Sequence, residues 1–189
     1  MKWKFKFEPY SKEPVIKVFQ HFLKLKALYR QGWLQRNVPE VKCESVADHS
    51  FGTALLALLL CPPELDKLKV LEISLLHETG ESIIGDLTPT SNISEKEKSR
   101  LEQEAVKKIF RNLPDGDRLL SVWQEFEFGT SPEGRFVRQL DKLEMGLQAE
   151  IYACRADNDA EKLIACALEK VTDPELRKLL SHSKKLNNK

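Results

Sequence analysis

The chain has 189 residues, enough for one substantial domain on the usual scale of about 100–200 residues each. Thirty basic side chains against 29 acidic ones leave a formal charge of +1, which excludes a global electrostatic pull toward a nucleic-acid polymer or an anionic membrane. The four cysteines, Cys43, Cys61, Cys154 and Cys166, form no C-x-x-C pair, which argues against a structural zinc site or a dense disulfide framework and for reduced thiols in a cytoplasmic protein.

Residues 1–8 alternate charged and aromatic side chains without the continuous apolar segment of a signal peptide, and residues 3–7 are the one strand candidate. From Pro14 to about Tyr29 the apolar residues Val15, Val18, Phe19, Phe22 and Leu23 recur at spacings of three and four, predicting an amphipathic helix that stops near Gly32. A loop runs to Val41-Lys42-Cys43. Ser45 with Asp48 then resembles a capping box, opening a second helix that carries His49 in its first turns and continues through Leu60. Its apolar run, Ala54 to Cys61, is too short to span a bilayer. Pro62-Pro63 breaks the chain, and Glu64 to about Ile83 reads as a third, mostly buried helix that places His77 and Glu81, four residues apart, on one face.

Gly85-Asp86-Leu87-Thr88-Pro89 has turn chemistry. Ser94 with Glu97 is another capping box and opens a charged helix to about Asn112, followed by a shorter one from Asp117 to Phe126. Ser131-Pro132 pairs an N-cap with proline at the first helical position of a segment reaching about Arg155. Asp141 falls inside it, where an unpaired acid would be costly. Helices over 157–171 and 175–186 complete an all-α reading.

His49, His77, Glu78 and Asp141 can converge from three helices on one divalent cation, because neutral imidazole and ionised carboxylate are the ligands such an ion takes. Buried and acidic together, the His77 surroundings call for a neutralising cation. Glu81 and Asp86 have two readings: a helix end and a turn-forming side chain, or a residue acting on an attacking water and one contacting substrate. Arg30 and Arg36 bracket Trp33, giving either a phosphate clamp with a stacking surface for a base or a surface turn with a packed indole.

Taken in order, Arg30-Gln31-Gly32-Trp33 to Arg36-Asn37-Val38, Glu44 to Ser50, Leu76-His77-Glu78 with Glu81, Gly85 to Pro89, Trp123 to Glu127 and Phe136 to Glu144 resemble the HD-domain metal-dependent phosphohydrolases, specifically the 5′-deoxynucleotidase branch. The resemblance implies an HD-domain helical bundle filling residues 1–189, with a core over about 14–156 and terminal helices over 157–186. It implies hydrolysis of deoxyribonucleoside 5′-monophosphates, a small-molecule nucleotide partner and a homodimer. One divalent ion, cobalt, manganese or magnesium with iron, nickel or zinc as further candidates, would be held by His49, His77, Glu78 and Asp141. Glu81 would handle the attacking water, Asp86 would lie against the sugar, and Arg30 and Trp33 would receive phosphate and nucleoside. Glu78 stands where the family has an aspartate. The alternatives are hydrolysis of a di-, tri- or cyclic nucleotide by the same fold, and a nucleotide-binding module with impaired chemistry.

Overall fold

A computed structural model of the chain describes residues 8–153 and 159–186. Among them are ten α-helices: α1 (Pro14–Leu25), α2 (Gln31–Leu34), α3 (Val46–Leu60), α4 (Lys67–Leu76), α5 (Glu81–Ile84), α6 (Glu95–Phe110), α7 (Gly116–Phe128), α8 (Pro132–Ala153), α9 (Glu161–Lys170) and α10 (Pro174–Leu186). The only pairing of strand type among the described residues is an isolated antiparallel bridge between Tyr29 and Ser45, so the fold is all-α. The strand candidate at residues 3–7 lies outside the described residues. No described helix is long and apolar enough to cross a membrane.

Local chemistry fixes the helix starts. The Ser45 side chain accepts from the Asp48 amide while Asp48 accepts from the Ser45 amide, a reciprocal cap that satisfies two otherwise orphaned donors at the start of α3. Asp66 takes the amides of Leu68 and Lys69, Ser94 that of Glu97, and Ser131 that of Gly134.

Packing centres on α8. Its Val137, Leu140 and Leu143 are fully buried against Ala57 of α3, Val70 and Ile73 of α4 and Val122 of α7, with Ala167 of α9 and Leu176 and Leu180 of α10 in the same cluster. A smaller cluster gathers Trp33, Val38 and Cys43 against Ala149 and Tyr152 at the far end of α8. The mid-helix position of Asp141 is therefore a core position.

Two helices differ from their sequence patterns. The first ends at Leu25 rather than near Tyr29, because Tyr29 leaves helical geometry to pair with Ser45 and Arg30 donates its amide to the Glu44 carbonyl at 3.1 Å. The segment predicted as one helix from Glu64 to Ile83 is two, α4 and α5. After His77 the amides of Thr79, Glu81 and Ser82 bond back three residues, to Leu76, Glu78 and Thr79, and this tighter turn rotates Glu81 off the α4 register. His77 and Glu81 are thus brought together by a turn and not by one helix face. The later helices start close to their predicted positions, although α9 begins only at Glu161.

His21 of α1 is buried, with Nδ1 3.3 Å from Ser82 Oγ of α5. Burial first, then Lys24 and Lys17, pushes its pKa down to about 4. The unfolded ring takes up a proton near pH 6.5 and the folded one does not, so this site favours the unfolded chain increasingly as pH falls from 6.5 to about 4. Denaturant unfolding across this range is expected to show a steeper acid loss of stability in the native chain than in His21→Gln, and identical slopes would refute the assignment.

Candidate metal centre

At the junction of α3, the α4–α5 turn and α8, His49, His77, Glu78 and Asp141 each present a ligand atom within 4.8 Å of the others. His49 Nε2 lies 3.3 Å from Asp141 Oδ1, 3.4 Å from His77 Nε2 and 3.6 Å from Glu78 Oε1, and His77 Nε2 lies 3.7 Å from Glu78 Oε1. The longer glutamate side chain at position 78 therefore reaches the same point as the imidazoles. His77 is aimed by its Nδ1 bond to the Ser74 carbonyl at 2.8 Å, and its own carbonyl accepts from the Trp123 indole at 3.1 Å. Four donors of this kind, two nitrogen and two oxygen, suit a divalent cation.

Electrostatics fit the same ion. Burial opposes ionisation of Glu78, yet His77, Arg30 and His49 hold its carboxyl down to about 2. Burial likewise opposes a charged Asp141 and is overcome by Lys142 and His49, which hold it well below the ordinary carboxylate range. Both acids are thus anionic in a dry site. His77 is kept below its usual value by burial, the state a ligand needs. At His49, burial and Arg30 disfavour a charged ring, but Glu144 and Asp141 outweigh them and raise it to about 10. A positive charge is wanted at this position, and a cation supplies it as well as a proton does.

The predicted residues around the cluster have mixed placements. Arg30 Nη1 pairs with Glu78 Oε1 at 3.0 Å. Glu81 is buried, and its Oε2 finds no hydrogen-bond partner among the described residues. Burial, then Glu78 and Asp86, pushes its carboxyl well above the ordinary range. Asp86 Oδ2 accepts from the Gln31 amide at 2.6 Å, tying the loop after α5 to the start of α2. Trp33 is only 2% exposed, with its indole N–H donated to Glu44 Oε1 at 2.7 Å and its ring edge-on to Tyr152 at 5.0 Å. Arg36 is turned inward to the Gly32 carbonyl at 2.8 Å. Arg30, Trp33, Arg36, Glu81 and Asp86 line one cleft of about 930 Å³, shared with His77, Glu78 and Asp141.

Two further carboxylates, Glu44 and Glu144, stand in the sequence blocks that carry the resemblance but are given no role there. Glu144 contacts His49 Nδ1, and Glu44 lies with both in a second group whose ligand atoms fall within 4.8 Å of one another. The sequence signal for Glu144 is its spacing of three from Asp141 on one helix, which puts both on the same face. Glu44 carries no such signal, since its partners are Trp33 and residues of α8 far along the chain. Burial and then Glu144 push the Glu44 carboxyl up to about 7.

Residues 22–180 match the HD domain family, and the chain belongs to it. It is 42% identical over 130 residues to the 5′-deoxynucleotidase HDDC2 of Homo sapiens, a match covering 68% of this chain and 63% of that protein. It is 36% identical over 135 residues to the 5′-deoxynucleotidase hdd1 of Schizosaccharomyces pombe, covering 68% and 67% respectively. The chain spans slightly under two thirds of the length of its mammalian relatives. Among solved structures, a conserved hypothetical protein from Pyrococcus furiosus superposes with a TM-score of 0.76 at 31% identity, over 90% of this chain and 99% of that one.

Protein stripped with a chelator and then given Mn²⁺ or Co²⁺ is expected to melt at a higher temperature, since a ligand at about 100 times its Kd adds roughly 2.7 kcal/mol of stability. Asp141→Ala and His77→Ala are expected to fold but lose that increment. Differential scanning calorimetry with and without the ion reads it, and an undiminished increment in both variants would remove these residues from the ligand set.

Proposed function

We propose that the chain is a divalent-metal-dependent phosphohydrolase that converts deoxyribonucleoside 5′-monophosphates to deoxynucleoside and phosphate. The observation that carries the reading is the four-donor cluster, three of whose members, His77, Glu78 and Asp141, line the same cleft as a buried Glu81 carboxyl with an unpartnered oxygen. The relatives' names, 5′-deoxynucleotidases in animals and yeasts, agree with it.

Hydrolysis requires water to attack phosphorus, the bond to the 5′-oxygen to break, and a proton to reach the departing oxygen. His49, His77, Glu78 and Asp141 would hold a divalent cation, which when bound offers Lewis-acid charge to a phosphoryl oxygen and acidifies water. Arg30 supplies a permanent guanidinium at the cleft wall for the phosphate. Glu81 holds or passes a proton at Oε2, the atom left without a partner. Asp86, fixed by the Gln31 amide, keeps one carboxylate oxygen for the sugar and stands against a 2′-hydroxyl. Trp33 forms a rigid wall for the nucleoside and not a mobile stacking plate, because its indole N–H is already committed to Glu44.

Arg138, Lys142, Lys162 and Lys170 also line the cleft. This supports a longer phosphate chain, as in a nucleoside triphosphate, as the second reading. A cytoplasmic setting is consistent with Cys43, Cys61 and Cys166, all free thiols. A homodimer is supported by α3, whose Phe51, Leu55, Leu58 and Leu59 form an exposed apolar stripe.

Phosphate release is expected from deoxyribonucleoside monophosphates in the presence of Mn²⁺ or Co²⁺, with much less from ribonucleotides and from triphosphates. Glu81→Gln is expected to lower kcat by about 10²–10⁴, the usual contribution of a positioned acid or base, while leaving cation binding intact. Faster release from the triphosphate would favour the second reading, and no release from any nucleotide would sink both. Analytical ultracentrifugation of Leu58→Glu is expected to show a monomer where the native chain sediments as a dimer.

A further inference from the structure

We infer that Glu144 is a positioning residue of the metal centre: it accepts the Nδ1 proton of His49, fixes the ring's tautomer and aim, and keeps the Nε2 lone pair turned toward Asp141, His77 and Glu78. The inference rests on the metal-binding reading of that cluster.

The His49 ring is fully buried and its two nitrogens face different groups. Nδ1 meets Glu144 Oε2 on one edge, while on the other Nε2 lies 3.3 Å from Asp141 Oδ1 and 3.4 Å from His77 Nε2. A neutral imidazole carries one proton, and whichever nitrogen holds it cannot be a ligand. A carboxylate on the far nitrogen therefore selects the ligating tautomer, restrains ring rotation and strengthens the nitrogen that faces the ion.

The helices are shaped to allow this contact. Gly52 follows His49 by three residues on α3, and Glu144 follows Asp141 by three on α8, so two pairs of equal spacing interlock across the junction. A Cβ at position 52 would stand 2.8 Å from Glu144 Oε1 and 3.0 Å from its Cγ. The absent side chain is the space the carboxylate occupies. Beside this contact stands Glu44, which has a ligand atom within 4.8 Å of those of His49 and Glu144 and accepts the Trp33 indole proton at 2.7 Å.

The test compares the full chain with Glu144→Leu, Glu144→Gln and Gly52→Ala, each checked for native helicity by circular dichroism. Mn²⁺ is titrated into chelator-stripped protein and the free ion is followed by electron paramagnetic resonance. Glu144→Leu is expected to bind Mn²⁺ about 10–100-fold more weakly, the usual cost of losing such an outer partner, and Glu144→Gln, which keeps an acceptor oxygen, to recover most of it. Gly52→Ala leaves every ligand in place and is expected to weaken binding at least threefold by displacing the carboxylate. In Zn²⁺-loaded protein, nitrogen-detected NMR is expected to find the His49 proton on Nδ1 in the native and glutamine forms and to lose its slow exchange in the leucine form. Should Glu144→Leu fail to fold, Gly52→Ala and Glu144→Gln decide by the same readouts. Mn²⁺ binding within twofold of native together with an unchanged Nδ1 signal in the folded variants overturns the inference. A native chain that binds no Mn²⁺ or Zn²⁺ overturns the metal centre as well, a result distinct from tight binding indifferent to Glu144.

Discussion

Placing several carboxylates in a dry helical junction is the constraint on which the rest of this fold depends. Each buried anion costs several kcal/mol of lost hydration, and only close opposite charges with good hydrogen bonds offset that. Here Arg30, Lys142 and the His49 ring stand within contact of Glu78 and Asp141. The long central helix, the tight turn after His77 and the bridge that delivers Arg30 all serve to bring these compensating groups to one place. Removing any one leaves an uncompensated charge rather than a mere gap.

Much of this was legible in the chain. Helix starts are written locally, in Ser45 with Asp48, in Ser94 with Glu97 and in Ser131 before Pro132, and each of those helices forms where its cap stands. His77 and Glu78 stand out because an acidic segment directly follows an apolar run, and Asp141 because a mid-helix acid in a buried register demands a partner. What was not legible depends on distant contacts. The four-residue spacing of His77 and Glu81 fits a single helix, and only the backbone bonds of Thr79, Glu81 and Ser82 reveal the tightened turn there. Tyr29 follows the helix-favouring Lys26-Ala27-Leu28 but pairs instead with Ser45. Glu144 and Glu44 looked like ordinary charged residues because the groups that give them meaning lie 95 residues away from Glu144 and, for Glu44, at an indole 11 residues earlier.

Trp33 is a fixed part of the cleft wall. An exposed ring could stack on many partners, but this one is held at its edge by Tyr152 and at its nitrogen by Glu44, so its contribution is shape. The same Tyr152 hydroxyl accepts from the Glu44 amide at 2.8 Å and donates to the Lys42 carbonyl at 3.1 Å. The end of α8 therefore braces the segment before α3 from which His49 emerges.

The bond between Asp86 and the Gln31 amide joins the loop after α5 to the start of α2. Arg30 sits beside one end of this tie and Asp86 forms the other, so the two lips of the cleft are fastened before any ligand arrives. The ordering entropy of those loops is then spent during folding and not during capture, which favours rapid association over a slow closing step. A molecule entering there meets side chains whose positions are already set by the 2.6 Å bond to the Gln31 amide and the 3.0 Å pair of Arg30 with Glu78.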